Sequence, residues 1–401
     1  MLQLSFVNFK KDTYVLVEGK ENPDRFFIIQ SGHVKVSHQT DLPGVQPVVL
    51  GPGDFVGVIS CMAKRAQCET CVAMSDVVCI SVMREQYIEL IEKNTAVALK
   101  IIRTFANRMR TVNEKLMEVT QSTTSREDYE QLFNVGSYFD SLQQYDIAFF
   151  AYYQYIKMEK NSENSKKALK RVAVLKTRVN APYIEPSQDM VRKYPRGSMV
   201  FSEAQKGLDM FIIKSGSIKI SKVVDGTEVT LAMLKPGDMF GEMALLERKP
   251  RSANAIATED CVLMSINMQN FNQMVATQAQ MVDRLTTTLS ERLWSMQRQL
   301  ANTLLRSNPV AQMTDMLALQ IEKMRISVGK GTQFMTNFMI EDIAAMCGLS
   351  KNEQARCLYS FMNSPLIKIE KGKIFIPDCL ELLKQAEFYR KQQRRQNQNQ
   401  N

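Results

Sequence analysis

Residues 27–37 read FIIQSGHVKVS, and residues 211–221 read FIIKSGSIKIS. The two stretches lie 184 residues apart, and the same separation relates LGPGD at 50–54 to LKPGD at 234–238. The register continues without a gap over about 80 residues, as a repeat architecture requires. Such a register indicates an internal duplication, and the 184-residue separation aligns the other residues of the two copies.

Each copy has the pattern of short strands followed by a long helix. Apolar residues alternate, and Ser-Gly, Asp-Gly and Pro-Gly pairs interrupt them, which is typical of a small antiparallel sandwich or barrel. The spacing of apolar residues then changes to three and four, which predicts a helix with one buried face. These residues are Tyr87, Leu90, Ile91, Ile101, Ile102, Phe105 and Met109 in the first copy, and Phe271, Met274, Val275, Val282, Leu285, Leu289 and Leu293 in the second. We expect two β-roll (jelly-roll-like) domains, each with a long C-terminal exit helix.

A helical segment with its own signature separates the copies. Its residues resemble a single tetratricopeptide repeat at about 129–162: Leu132, Val135, Gly136, Phe139, Tyr145, Ala148, Tyr152 and Tyr155. The small residues Gly136 and Ala148 would allow two antiparallel helices to approach closely. One such repeat cannot bury its own face, so it must pack against a neighbour. The alternative is a generic helical hairpin linker.

Composition excludes several classes of protein. The 401 residues are 45% hydrophobic and 23% charged, which is ordinary for a folded protein of two to four domains. No run of about 18 apolar residues predicts a membrane span, and residues 1–12 lack the pattern of an export signal. Eight Cys do not form a disulfide framework, which favours a reducing cytoplasm. Only His33 and His38 are present, which argues against His-dependent catalysis and His-rich metal sites.

The net charge of +9 is unevenly distributed. Residues 157–180 carry eight basic and two acidic side chains, and residues 388–401 carry four basic and no acidic ones. The remainder of the chain is therefore close to neutral. Net charge favours an anionic partner only weakly, and here that charge lies in the segment between the copies and in the C-terminal tail.

The second copy contains a candidate anion site, FGEMALLERKPRSA at 240–253. Gly241 would let the backbone approach a ligand, and a helical turn after it would direct N–H groups at an anion. Arg251 offers a planar fork that binds a phosphate diester through two hydrogen bonds. Glu242 suits a ribose hydroxyl. The small pair Ser252-Ala253 leaves space and adds donors.

This segment resembles the phosphate-binding cassette of the cyclic nucleotide-binding domain family, with its Phe-Gly-Glu, Ala-Leu-Leu and Pro-Arg-Ser-Ala elements in order. The resemblance implies that Arg251 and Ser252 hold the cyclic phosphate and that Glu242 holds the ribose 2′-hydroxyl. The residues predicted to contact the nucleotide here are Gly241, Glu242, Met243, Ala244, Arg251, Ser252 and Ala253. The alternative is that Glu242 and Arg251 pair with each other across a surface turn.

The residues that would read the base are less defined. In the family the exit helix caps the purine, which points to Trp294, Met296 and Gln297. Met296 and Gln297 stand where bacterial activators carry hydroxyl residues that read adenine, so the choice between cAMP and cGMP is open. Trp294 would stack on a base or pack between helices.

The first copy lacks the same chemistry. In register, Val58 replaces the Glu, Gln67 replaces the Arg, and Cys68-Glu69 replaces Ser-Ala. A Glu would repel a phosphate and Gln cannot neutralise one, so we expect a structural copy. The alternatives are rescue of binding by the neighbouring Lys64 and Arg65, and a metal site built on the C-x-x-C spacing of Cys68 and Cys71 among four clustered Cys. We expect no metal, because buried Cys usually behaves as a small apolar residue.

The C-terminal segment has the sequence pattern of a DNA-binding domain. Residues 340–358 have helix–turn–helix form, with Gly348 at the turn and Ser350 as a helix cap. Residues 366–376 predict a hairpin. The block resembles the winged helix of Crp/Fnr-type transcription regulators, which follows the cyclic nucleotide domain in that family. The DNA contacts predicted from it are Ser350, Lys351, Asn352, Gln354, Arg356, Lys371 and Lys373, with Lys368 also in the wing.

This C-terminal segment has no net charge, because residues 309–389 contain nine basic and nine acidic side chains. Only from Ser350 to Lys373 is there an excess of positive charge, with five basic and two acidic residues. Winged helices that bind proteins are therefore an alternative. The polar, basic end predicts disorder.

The prediction is a multidomain α+β chain, not an enzyme. Its parts are a degenerate sensor domain (1–118), a tetratricopeptide-like helical hairpin (125–180), a cyclic nucleotide-binding domain (185–305), a winged helix (309–385) and a disordered tail (386–401). The expected function is a regulator of transcription that binds cAMP or cGMP and double-stranded DNA. The alternative is a signalling adaptor that binds proteins through its helical insert and winged helix. We expect no membrane partner. The two copies could form internally the exit-helix seam of the family's dimers, and a homodimer is left open.

Overall fold

The structure is a computed structural model. The residues that it describes are 4–20, 24–38, 47–119, 129–179, 189–224, 226–303, 308–324, 327–336, 339–347, 349, 351–370 and 372–398. The chain divides into two compact units. The first unit comprises Met1–Gln86, Val112–Gln121 and Ser290–Asn401, and the second comprises Tyr87–Thr111 and Ser122–Leu289.

The first copy is a two-sheet β-roll. Its strands are β1 (Ser5–Phe9), β2 (Tyr14–Leu16), β3 (Arg25–Ser31), β4 (Val34–Ser37), β5 (Val48–Leu50), β6 (Phe55–Val56), β7 (Thr70–Ala73) and β8 (Val77–Met83), with helix α1 (Val58–Ala63) between β6 and β7. The sheet orders are β1-β8-β3-β6 and β2-β7-β4-β5, and the pairings are antiparallel. Alternating residues such as Phe27, Ile29, Val34 and Val36 fill the space between the sheets.

The second copy repeats this topology. In the chain it follows the exit helices of the first copy and the insert. Its strands are β9 (Val191–Tyr194), β10 (Met199–Phe201), β11 (Asp209–Ser215), β12 (Ile218–Val224), β13 (Thr227–Leu234), β14 (Met239–Phe240), β15 (Asn254–Ala257) and β16 (Cys261–Asn267), with helix α7 (Glu242–Glu247) between β14 and β15. The sheet orders, β9-β16-β11-β14 and β10-β15-β12-β13, match those of the first copy. The two β-rolls are therefore confirmed, and their sheet topologies are alike.

Each copy continues into two helices. They are α2 (Tyr87–Lys93) and α3 (Thr95–Val119) in the first copy, and α8 (Met268–Thr277) and α9 (Ala279–Thr303) in the second. The predicted apolar stripes are buried throughout. The prediction of one uninterrupted exit helix is wrong, because Gln278, at φ −132° and ψ 64°, leaves the helical region and ends α8.

The exit helices of the two copies meet inside the second unit. The hydroxyl of Tyr87 on α2 lies 2.9 Å from that of Thr286 on α9, and this contact is buried. A helix of the first copy therefore belongs to the same compact unit as the second copy, as an internal seam between the copies requires.

In residues 129–179, the described part of the insert between the copies, there are three helices: α4 (Glu130–Ser141), α5 (Tyr145–Met158) and α6 (Glu163–Leu175). A Cβ on Gly136 would lie 2.7 Å from the ring of Tyr152, so α4 and α5 approach as closely as the small residue allows. The insert shares a hydrophobic core with Met199 and Ile256 of the second copy. Helix α6 was not predicted. Ser162 begins it by accepting a hydrogen bond from the backbone N–H of Ser165.

Among its described residues, the C-terminal part contains four helices and a small sheet. The elements are α10 (Pro309–Met324), β17 (Phe334–Met335), α11 (Ile340–Met346), α12 (Lys351–Met362), β18 (Lys368–Glu370), β19 (Lys373–Ile376) and α13 (Cys379–Gln398). Strand β19 pairs antiparallel with both β17 and β18. A helix pair followed by a hairpin thus occupies the predicted positions, and its assignment as a winged helix remains a proposal.

The expectation of a disordered tail from residue 386 differs from the structure, in which α13 extends to Gln398. Two anchors explain the difference. Ala386 is fully buried, and Arg390 Nη1 lies 2.9 Å from Asp315 Oδ1 of α10. Glu, Lys, Gln and Arg are also good helix formers. In the part of the chain that the structure describes, no helix is both long and apolar enough to cross a bilayer.

Candidate functional site

The cassette of the second copy begins at a backbone position that requires glycine. Gly241 precedes α7 with φ 78°, in the left-handed region that side chains disfavour. A Cβ here would lie 2.7 Å from Nη1 of Arg251. The absence of a side chain therefore lets the backbone turn into α7 and lets Arg251 reach it.

Arg251 is a buried cation that is held by backbone carbonyls. Its side chain is 6% exposed, Nη1 donates to Gly241 O and Nη2 to Asp209 O, each at 2.7 Å. The Asp209 carboxylate instead pairs with Arg192 at 2.9 Å. The hydrogen bonds of the Arg251 guanidinium thus go to carbonyl oxygens, while Glu242 acts on it electrostatically.

The Arg251 guanidinium is protonated at neutral pH, and one of its N–H donors has no hydrogen-bond partner among the described residues. The guanidinium lies 4.1 Å from the ring centre of Phe201, and Nε, buried, has no hydrogen-bond partner among the described residues. Burial lowers the pKa of Arg251 to about 10, against the opposing effect of Asp209 and Glu242. The group is therefore a cation at neutral pH, with donor capacity left for an anion.

The other predicted residues of the cassette gather around α7. Glu242 is the first residue of the helix and is 3% exposed. Ser252 Oγ lies 3.7 Å from Met243 Sδ, and Ala244 and Ala253 are buried. The structure thus brings together the acid, the cation, the hydroxyl and the helix N-terminus that the sequence predicted.

A loop, residues 202–207, covers Arg251. Ala204 N donates to Arg251 O at 2.9 Å, and Arg251 N donates to Gln205 O at 2.8 Å. A Cβ on Gly207 would lie 2.3 Å from Arg251 Nε. Ala204 has φ 64°, an uncommon conformation for a residue other than glycine. A ligand that binds Arg251 must displace this loop or turn the side chain.

Sequence reasoning missed Arg110 of α3. This residue of the first copy forms an ion pair with Glu247, the last residue of α7, and both side chains are less than 10% exposed (8% and 4%). Arg110 Nη2 also lies 3.4 Å from Pro250 O, directly before Arg251. The first copy therefore contributes a charged side chain that fixes the cassette of the second. The only sequence signal was a charge on the buried side of an apolar helix.

The corresponding contact in the first unit involves Trp294. Positions 110 and 294 are equivalent in the 184-residue register, and so are Ala66 and Pro250. Trp294 Nε1 donates to Ala66 O at 2.9 Å. Trp294 was expected either to stack on a base or to pack between helices, and the structure places its indole against the cassette loop of the first copy. Met296 and Gln297 lie partly buried in the same helical segment, and their role in reading a base stays a prediction.

The first cassette keeps the backbone of the second but not its chemistry. Gly57 has φ 77° and precedes α1 as Gly241 precedes α7, and Lys64 and Arg248 end the two helices at φ 52° and 55°. Val58 and Gln67, which stand in place of Glu242 and Arg251, are buried. The backbone shape is common to both copies, whereas the two charged residues, Glu242 and Arg251, are present only in the second.

The clustered Cys of the first copy are thiols. Cys61, Cys71 and Cys79 are buried and Cys68 is half-buried. Burial raises the pKa of Cys61 to about 12 and that of Cys79 to about 11, which disfavours the thiolate form that binds metals. Within the described ranges, no group of three or more His, Cys, Asp or Glu is placed to hold a metal ion.

The structure places only part of the predicted DNA-binding set. Arg356 on α12 and Lys368 and Lys373 on the hairpin are exposed. Lys351, Asn352 and Gln354 lie on α12, but their side chains lie outside the description, and Ser350 and Lys371 lie outside the described residues.

The comparison with family models agrees with this geometry. The model of the cyclic nucleotide-binding domain matches residues 6–94 and 191–278. Two segments of the chain are therefore similar to the cyclic nucleotide-binding domain. Both matched segments coincide with the β-rolls described above.

Curated relatives include regulators of two kinds. A CRP-like cAMP-activated global transcriptional regulator of Mycobacterium tuberculosis (strain CDC 1551 / Oshkosh) is 26% identical over 194 residues, which are 48% of this chain and 86% of that protein. A cAMP-dependent protein kinase regulatory subunit of Mycosarcoma maydis is 35% identical over 99 residues, 23% of this chain and 19% of that protein. Among solved structures, a CRP-family transcriptional regulator of Thermus thermophilus matches with a TM-score of 0.36 and 18% identity, covering 49% of this chain and 96% of that one.

Proposed function

We propose that the chain is a transcription regulator whose second sensor domain binds a cyclic mononucleotide and whose C-terminal domain binds double-stranded DNA. The observation that carries the proposal is Arg251. It is a buried guanidinium beside the N-terminus of α7, bonded to two carbonyls and with its Nε unpartnered among the described residues. Such a group is matched by a ligand that brings one negative charge and several acceptor oxygens.

The roles of the cassette residues follow from their chemistry. Arg251 would hold the cyclic phosphate, aided by Ser252 and by the N–H groups that open α7. Glu242, already buried at the same end of the helix, would accept a hydrogen bond from the ribose 2′-hydroxyl. Neither role distinguishes adenine from guanine, so the ligand is proposed as cAMP or cGMP.

Nucleotide binding would affect the C-terminal domain through the exit helices. Arg110 ties the cassette to α3, and Tyr87 ties α2 to α9. A ligand that moved the loop before Arg251 would therefore act on both exit helices. A shift between two conformational states requires that the ligand makes different contacts in each state, and movement of this loop would supply that difference. In the chain, α9 leads to the C-terminal domain.

The DNA part of the proposal has narrower support. The exposed Arg356, Lys368 and Lys373 lie on a helix and a hairpin that resemble a winged helix. The M. tuberculosis relative is named as a transcriptional regulator. Arg356 would reach a base edge or a phosphate, and the hairpin lysines would contact phosphates.

A gel shift with random-sequence duplex, with and without cAMP or cGMP, tests this part. We expect binding that changes with nucleotide and weakens about a thousandfold or more between 50 and 200 mM salt if six or more phosphates are contacted. A double variant, Lys368→Ala with Lys373→Ala, should reduce the salt dependence. The regulator proposal fails if no salt-sensitive binding occurs under either condition.

The second candidate is a signalling adaptor under nucleotide control, which binds proteins through the helical insert and the C-terminal domain. The similarity to a cAMP-dependent protein kinase regulatory subunit favours it, as does the neutral charge of residues 309–389. In both candidates the protein acts by binding and not as an enzyme. Nucleotide binding without any DNA binding in the gel shift would support this candidate.

A further inference from the structure

The cassette loop of the first copy, residues 63–67, contacts the C-terminal domain within the first unit. Arg65 Nη2 donates to Glu322 O at 2.6 Å. Glu322 lies in the last turn of α10 (Pro309–Met324), where helix carbonyls lack intrahelical partners and carry partial negative charge. The contact is therefore between a guanidinium and the negative end of a helix.

This loop is the counterpart of residues 247–251, the cassette loop of the second copy, and both follow a six-residue helix that ends in a left-handed residue. The first copy retains that backbone while Val58 and Gln67 remove the groups suited to a phosphate. We propose that the first cassette is a docking site for the chain's own C-terminal domain, with Arg65 binding the end of α10 where the second cassette binds a small anionic ligand. The proposal goes beyond the proposed function and requires neither nucleotide nor DNA binding.

Trp294 joins the same contact from α9. Its Nε1 donates to Ala66 O at 2.9 Å, and the guanidinium of Arg65 lies 5.5 Å from the ring centre, within cation–π distance. Trp294 is 6% exposed. A buried indole thus fixes the loop on one side while Arg65 holds α10 on the other.

The exit helix is also tied to α10 directly. Arg298, one turn after Trp294, lies 5.8 Å from the same ring and binds Asp315 at 3.1 and 3.2 Å. Asp315 in turn pairs with Arg390 of α13. The loop, α9, α10 and α13 are therefore linked by one chain of charged and aromatic contacts.

The attachment of the loop to the domain is polar and narrow. A cavity of about 420 Å³ lies beside this contact, lined by Ala63, Lys64, Arg65, Ile321, Glu322, Val328 and Leu383. Arg65 donates the hydrogen bond that joins this loop to α10 across the edge of the cavity. The first copy would then determine how firmly the C-terminal domain is held, independently of any ligand of its own.

Hydrogen–deuterium exchange of the full chain, read by peptide mass, tests this inference without nucleotide or DNA. We expect Arg65→Ala to raise the exchange rate of amides in the last turns of α10 by about tenfold, because local opening becomes easier. Lys64→Ala is the matched control, since Lys64 is an exposed cation in the same loop. Arg65→Lys, which keeps the charge but not the planar fork, should lie between them.

The inference is overturned if α10 exchanges equally in Arg65→Ala and Lys64→Ala, or if exchange rises uniformly in all peptides and so reflects general destabilisation. Calorimetry with cAMP and cGMP on Arg65→Ala should match the wild type. A wild type that binds neither nucleotide would contradict the proposed function alone, whereas unchanged exchange at α10 would contradict this inference alone.

Discussion

Replacing Arg251 with alanine is expected to reduce the affinity for cAMP and cGMP at least about thirtyfold, since truncating one member of a buried, hydrogen-bonded charge pair costs about 2–5 kcal/mol. The guanidinium is the buried cation of the cassette, and its bonds to Gly241 O and Asp209 O position it beside α7. Alanine supplies neither the charge nor the fork. Isothermal titration of each nucleotide into purified protein measures the loss.

Gln67→Ala is the matched control, because Gln67 occupies the equivalent position of the first copy. It should leave the affinity within about twofold of the wild type, well under the 1.4 kcal/mol of a tenfold change. Arg251→Gln retains most of the side-chain volume and separates loss of charge from loss of packing on Phe201. Equal affinity in wild type and both Arg251 variants would reject the site.

Replacing Arg110 with methionine is expected to lower the free energy of unfolding by about 3–5 kcal/mol, because it leaves a buried carboxylate without its partner. Glu247 is 4% exposed on its side chain, and its second oxygen has no partner among the described residues. Urea denaturation followed by circular dichroism measures the change. Nucleotide affinity should also fall, since Arg110 contacts Pro250, next to Arg251.

The double variant Arg110→Met with Glu247→Gln distinguishes the ion pair from lost packing. It removes both charges, so most of the stability lost in Arg110→Met should return. A single variant that costs less than about 1 kcal/mol, the range of exposed pairs, would show that the pair does not hold the cassette. A double variant that is less stable than Arg110→Met alone would lead to the same conclusion.

The duplication made the β-rolls predictable from sequence. Strand alternation and turn residues recur at 184-residue spacing, and local patterns of this kind determine which face is buried. Gly241, Glu242 and Arg251 could also be predicted, because they fall within one short motif. The cassette is a local structure, and its residues approach one another through a single helix and the strand that follows it.

Contacts between the copies could not be predicted in this way. Arg110 and Glu247 are 137 residues apart, and periodicity shows that a helix face is buried without showing what covers it. For the same reason the sequence left open what Trp294 contacts, and in the structure its indole donates a hydrogen bond to Ala66 O of the other copy. An apolar stripe does not encode which copy its helix packs against.

Helix α13 shows a different limit of composition. Residues 390–395, RKQQRR, are polar and basic, and such composition is common in disordered tails. The same residue types favour helix once the preceding turns are anchored. Here the anchors are the buried Ala386 and the Arg390–Asp315 pair, and neither is visible from composition.

We propose that the second cassette binds a cyclic nucleotide and that its duplicate in the first copy does not. Isothermal titration calorimetry of the full chain with cAMP, repeated with cGMP, tests it most directly through the stoichiometry. We predict one nucleotide bound per chain for at least one of the two ligands. Two nucleotides per chain would show that the first cassette is also a site, and no binding of either ligand would contradict the assignment of the second.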